Sequence, residues 1–225
     1  MARELGAREE PVVAVARSTE KLRSLEDQYS SARAVPADLA SPEGIAAVAT
    51  ALGAATRVAG IVHGAGSLIP LEPYAATDWG ALTEHFRLHV GAPMALYQAI
   101  MPGAAVERLM FIDSYSATTP RDGWPAYSIV KAAAQMAARA AEVELHQTRT
   151  IRVFPGAVDT PILQSVLNST APAAATYAAM LDRGEVATPA EVARFMVGIL
   201  VDAPDDVLDS RESWDFNDAA DKQAV

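Results

Sequence analysis

A tyrosine and a lysine four residues apart, Tyr127 and Lys131, are the side chains best able to do chemistry together, and Ser114 stands thirteen residues before the tyrosine. The run from Pro125 to about Gln147 reads as a helix, on which residues i and i+4 project from one face. A phenol then stands beside an ammonium. Free tyrosine, with a pKa near ~10, gives up its proton poorly at neutral pH, and a neighbouring cation favours the phenolate. Lowering that pKa by about three corresponds to roughly 4 kcal/mol, the scale of tuning a general acid/base needs. Alone the pair is a weak signal, because tyrosine and lysine at this spacing also decorate solvated helix faces.

Such a pair needs a scaffold, and the chain alternates strands with helices. The β-branched run at 12–16 reads as a buried strand, followed by a helix over about 19–29 capped from Arg17, Ser18 and Thr19. A second strand is expected near 32–37, ending at Asp38. Ser41 and Pro42 then open a helix to about Ala54, as N-cap and first-position proline. The remaining expectations are a strand at 58–63 running into Gly64, Ala65 and Gly66, and a long helix from Thr77 to about Met101. Next come a strand at 109–113, the helix at 126–147, a strand at 150–154 closed by Pro155 and Gly156, and a helix at 190–201. The last strand falls at 207–209 or 213–216. Residues 161–185, small, polar and proline-interrupted, read as a lid over a substrate.

This alternation predicts right-handed βαβ units and a parallel sheet covered on both faces, an α/β fold in a single domain over residues 1–225. Ligands of such sheets sit beyond the carboxyl ends of the strands, where Arg17, Asp38, Gly64 to Gly66, Ser114, Pro155 and Gly156 all fall. Composition narrows the classes. The 18 basic against 28 acidic residues give a net charge of −10, unsuited to nucleic acid or anionic lipid. Cysteine is absent, which excludes disulfides and thiolate chemistry and suits a cytoplasmic location. No run approaches the ~18 apolar residues of a membrane span.

Ser114 with Tyr127 and Lys131, together with His63-Gly-Ala-Gly66 upstream and Pro155 to Thr160 downstream, resembles the short-chain dehydrogenase/reductase family from about residue 2 to the C-terminus. The layout of the last segment, from Asp205 to Asp218, is similar to the benzil reductase and sepiapterin reductase-like branch. The resemblance implies that Ser114 polarises a substrate carbonyl, Tyr127 donates the proton, and Lys131 lowers the tyrosine pKa and holds the nicotinamide ribose. Ser116 is a second candidate hydroxyl. By the same resemblance Asp38 and Leu39 contact adenine, Gly64, Ala65 and Gly66 lie against the adenosine ribose, and Val158 with Thr160 holds the carboxamide beside Pro155 and Gly156. The resemblance also implies that partner chains pair through the helices at about 77–102 and 125–147, in a homodimer or homotetramer. The implied reaction interconverts a small-molecule carbonyl and its alcohol.

Cofactor choice is read after the first strand, where an acidic residue selects a free ribose 2′-hydroxyl and a neutral residue followed by Arg accommodates a 2′-phosphate. Ala16, Arg17 and Ser18 point to NADP(H), Arg17 and Ser18 holding the phosphate. Arg17 simply starting a surface helix, Asp38 acting only as an N-cap, and Gly64 and Gly66 forming an ordinary tight turn are the alternatives. His89 and His63 stand where the family commonly has asparagine. His89 can relay protons or be a satisfied helix histidine. No metal site is expected. The family's opening strand and Thr-Gly-x-x-x-Gly-x-Gly loop have no counterpart here, since Gly6 is the only glycine before Gly44. The expected fold is therefore a Rossmann-type doubly wound sheet lacking its usual first strand and glycine-rich loop, in an N-terminally truncated form. The alternative function is a non-catalytic interaction protein that binds dinucleotide poorly.

Overall fold

The chain begins with α1 (Ala2–Ala7), which leads into β1 (Val12–Ala16). α2 (Thr19–Gln28) starts where Ser18 accepts a hydrogen bond from the Lys21 N–H and returns the chain to β2 (Ala32–Pro36). β2 lies parallel to β1, Val12 opposite Ala32 and Ala16 opposite Pro36. α3 (Pro42–Leu52) opens as its residues dictate, Ser41 Oγ accepting from the Gly44 N–H at 3.0 Å with Pro42 at the first position. The computed structural model describes residues 1–68 and 70–225.

The single strand expected at 58–63 is two. β3 (Arg57–Val58) and β4 (Ile61–His63) are separated at Gly60, where a Cβ would come within 2.8 Å of Leu200. The long helix expected from Thr77 is also divided, into α4 (Trp79–Phe86), a π-helical turn at Arg87–Gly91, and α5 (Ala92–Ile100). Pro93 has no N–H to give to the His89 carbonyl, and the wider turn absorbs the lost bond.

β5 (Ala105–Val106) pairs with β3, and β6 (Arg108–Ile112) pairs with β4. α6 (Pro125–Glu144) crosses over to β7 (Arg149–Phe154), parallel to β6. α7 (Pro161–Leu167) and α8 (Ala173–Asp182) form the segment read as a lid. α9 (Pro189–Val197) begins with a capping box between Thr188 and Glu191. The apolar run at 207–209 lies in α10 (Asp205–Asp209), not in a strand, because Pro204 and two aspartates in the first turn favour a helix start. The alternative at 213–216 holds: β8 (Trp214–Asp215) joins β7, and α11 (Ala219–Gln223) closes the chain.

β6 is buried on both faces, as a central parallel strand must be. Leu109 and Phe111 pack with Ile45 and Val48 of α3 and Leu96 and Ile100 of α5. Met110, fully buried, packs the other way with Val153, Phe195, Ile199 and Trp214. Helices therefore cover both faces. Among the described residues β1 pairs only with β2, and β4 only with β6, so no ladder bridges β1 and β4. This is the parallel α/β sheet without the strand that would join its two parts.

Candidate active site

Four elements converge beyond the carboxyl end of β6. The chain leaves that strand at Ile112 and passes through Asp113, whose buried carboxylate anchors the turn after the strand. Its Oδ1 accepts from the Ser114 N–H at 2.7 Å, and its Oδ2 accepts from Gln135 Nε2 at 2.8 Å and lies 3.9 Å from Arg152 Nη1. Ser114 then turns extended, and its hydroxyl accepts from the Ser116 N–H at 3.2 Å. On α6, Tyr127 and Lys131 stand one turn apart, as the spacing predicts. The Lys131 ammonium is buried and donates to the Ile112 carbonyl at 2.7 Å, tying helix to strand end. Neither Asp113 nor Gln135 was marked by the sequence; an acid directly before Ser114 at a strand end was the available signal.

Burial decides the electrostatics. It pushes the Tyr127 phenol above its ordinary value, with the Ser114 hydroxyl pulling it down and Tyr177 and Asp113 adding to the rise. The lysine's own pKa falls to about 8 through burial, opposed by Asp113. Its nearest hydrogen-bond partner is a backbone carbonyl, and the phenol is left to Ser114.

His63, ending β4, and His89, in the π-helical turn, are both buried, and the Nε2 of each lacks a hydrogen-bond partner among the described residues. Burial and then the charge of Lys131 push His63 down to about 4 and His89 to about 3. His89 stacks with His85 at 6.1 Å, and a Cβ on Gly66 would lie 2.6 Å from His89 Cε1, which is why that loop position needs glycine. The pair makes the fold acid-sensitive. Unfolded histidines take up protons near ~6.5, while the folded ones resist until much lower. Stability is fully present above that pH and is lost as pH falls through 6.5 toward 4, by about 3 kcal/mol for each histidine. A His63→Asn/His89→Asn variant should flatten the fall in melting temperature across that window.

The residues expected to contact a dinucleotide share one cavity with the catalytic candidates. Arg17, Asp38, Leu39, Gly64, Ala65, Gly66, His89, Ser114, Tyr127, Lys131, Pro155, Gly156, Val158 and Thr160 all line a space of 2440 Å³. This exceeds the ~300–1,000 Å³ usual for a small-molecule site because it continues between β1 and β4. Val12 through Ala16 and Ile61 through His63 line it without alternation, so both strand edges face it. Ser18 lies beside Arg17 but is not among the residues lining the cavity; its hydroxyl caps α2 by accepting from the Lys21 N–H. Asp38 is not an N-cap. Its Oδ1 accepts from the Ala40 N–H at 3.0 Å, and the cap of α3 is Ser41. Arg17 is exposed at the end of β1. The Thr160 hydroxyl caps α7 and donates to the Val158 carbonyl at 3.2 Å. Gly156 adopts φ +70°, and a Cβ there would meet Asn217 at 2.6 Å.

The family model for short chain dehydrogenases matches residues 1–171. The chain belongs to the short-chain dehydrogenase/reductase family. It is accordingly an oxidoreductase of a family that uses NAD(P) and small-molecule substrates. Among solved structures, the KRED1-Pglu enzyme superposes with a TM-score of 0.81 at 24% identity, over 90% of this chain and 92% of that one. A short-chain dehydrogenase/reductase from Saccharomyces cerevisiae reaches 0.84 at 20% identity, over 96% and 89%. Both likenesses concern the fold. A metagenomic short-chain oxidoreductase in complex with NADP is 28% identical, with a TM-score of 0.61 over 69% of this chain and 75% of that one. No curated protein matches. Among the described residues, no helix of this family member is long and apolar enough to cross a membrane, and no group of three His, Asp or Glu is placed to hold a metal.

Proposed function

We infer that the chain is an NADP(H)-dependent carbonyl reductase, interconverting a ketone or aldehyde and its alcohol, with Tyr127 as general acid/base. The observation that carries this reading is the single cavity in which Ser114, Tyr127 and Lys131 meet Arg17. When bound, the nicotinamide supplies the hydride. The protein's part is positioning and proton supply.

Ser114, held by Asp113, offers a hydroxyl to the carbonyl oxygen. Tyr127, pushed upward by burial, keeps its proton at neutral pH and is poised to donate it as negative charge develops on that oxygen. Lys131, placed one turn along, is close enough to a neutral state to pass a proton on. Arg17, with no acid beside it, would take the ribose 2′-phosphate, and the NADP complex of the metagenomic relative supports that choice. Asp38, Leu39 and Gly64 to Gly66 would hold the adenosine end, and Pro155, Gly156, Val158 and Thr160 the carboxamide end. Residues 161–185 act as the cover within one domain, and Leu163, Val166, Tyr177 and Met180 line the cavity beside Tyr127.

Absorbance loss from NADPH on mixing with aryl and alkyl ketones, with the alcohol identified chromatographically, tests the reading. NADPH consumption without alcohol, or none with any carbonyl, would refute it.

Self-association fits the same reading. Ile129, Met136 and Val143 repeat every seventh residue of α6 and are 44%, 61% and 70% exposed, a stripe that water does not favour. Trp79, on the adjacent α4, is 77% exposed. A homodimer or tetramer covering this face should appear by light scattering as two or four chain masses. Met136→Glu with Val143→Glu should return it to one.

A further inference from the structure

Arg121 is unlike the other arginines that reach the protein interior. Arg108 donates to the Leu200 and Ala203 carbonyls, Arg149 pairs with Asp209, and Arg152 with Glu212. Each holds the fold together. The Nε of Arg121, like that of Arg152, is shut off from water without a partner, but Arg152 is held through its Nη atoms, whereas Arg121 has no carboxylate partner and donates no side-chain hydrogen bond among the described residues. A buried guanidinium N–H without an acceptor is costly, and such groups are rare unless a ligand completes them.

Its setting is a built one. The Arg121 carbonyl accepts from the Trp124 N–H at 3.0 Å, closing a turn in which Gly123 takes φ +74°, directly before α6. The guanidinium lies 5.6 Å from the centre of the Tyr177 ring on the cover. Tyr177 stacks on Trp124 at 6.1 Å, and Trp124 stands edge-on to Tyr127 at 5.5 Å. All four side chains line the same cavity. An aromatic wall thus runs from the catalytic phenol to an unpaired cation. The cavity-lining residues drawn from 114–124 and 160–180 include no acid, in a chain whose net charge is −10.

We propose that Arg121 is a specificity-determining residue that binds a carboxylate at the far end of the substrate, so that the preferred substrates are aryl or alkyl oxo acids. The planar fork of an arginine matches two carboxylate oxygens, and the stack on Tyr177 holds the fork in place. Trp124 and Tyr177 take the apolar body while Ser114 and Tyr127 take the carbonyl. The proposal rests on the carbonyl-reductase reading.

Keto acids of increasing tether length (phenylglyoxylate, benzoylpropionate and benzoylvalerate) and their methyl esters are to be compared in steady-state kinetics with wild type, Arg121→Met and Arg121→Lys. Methionine keeps an apolar stem against Tyr177. Loss of a charge-assisted pair is expected to raise KM for the best acid by roughly 10–100-fold, leaving kcat and the ester's KM nearly unchanged. Lysine should restore part of the loss, and the optimal tether reports how far the cation lies from the phenol. Equal effects on acid and ester, or no effect on either, would overturn the proposal. Calorimetric binding of the acids in the presence of NADPH separates the two readings. Acid binding that weakens in Arg121→Met without turnover in wild type would sustain the carboxylate site and sink the reductase assignment. Acid binding unchanged by the substitution would overturn the carboxylate site whatever the turnover.

Discussion

Replacing Tyr127 by phenylalanine is expected to lower turnover by about 10²–10⁴-fold, the usual contribution of a positioned general acid. The substitution removes one oxygen and leaves the ring in its place. Trp124 still meets that ring edge-on, and the ring still packs with Ala126 and Val130 beside it. Helix α6, the Lys131 bond to Ile112 and the walls of the cavity are untouched, so cofactor affinity should stay nearly constant while kcat falls. A phenylalanine variant retaining full activity would remove Tyr127 from the chemistry.

The second large effect is on stability and comes from a residue with no side chain. A Cβ on Gly44 would lie 1.9 Å from the Asp38 carbonyl oxygen and 2.6 Å from its carbon, both backbone atoms. The approach is close because that carbonyl is also held by Ser41, whose N–H and hydroxyl donate to it at 3.1 and 3.0 Å. Neither the turn nor the start of α3 has a side chain that can swing away. Gly44→Ala should therefore cost about 3 kcal/mol through overpacking. For a chain of this size that lowers the melting temperature by roughly 6–12 °C. It should also weaken binding at the adenosine end, because the clash displaces Asp38. Gly64→Ala is the control: nothing lies within 4 Å of its added Cβ, and the melting temperature should hardly move.

The elements that carry the site were legible because each has a local cause. Ser41 and Pro42 start α3, β-branched residues make β1, and the spacing of Tyr127 and Lys131 places both on one helix. The misread elements were decided at a distance or by a single missing donor. The strand at 58–63 is interrupted at Gly60, where a Cβ would meet Leu200, far along the chain. The helix from Thr77 widens where Pro93 withholds an N–H. The site's supports were hidden for the same reason: Asp113, Gln135 and Arg152 come from three different elements. Arg121 and Tyr177 meet only after the cover has folded over α6. The bond from the Lys131 ammonium to the Ile112 carbonyl joins α6 to the end of β6, a contact that the spacing on one helix does not reveal.

In the proposed function this cavity holds NADPH with the 2′-phosphate at Arg17 and the reacting end at Tyr127 and Lys131. Titration of the purified chain with NADPH, followed by nucleotide fluorescence and melting temperature, tests it most directly, since a ligand bound only by the folded state raises apparent stability by mass action. Saturable binding with a rising melting temperature is expected, weakened in Arg17→Ala for NADPH and far less so for NADH. No saturation and no shift at millimolar NADPH would contradict it.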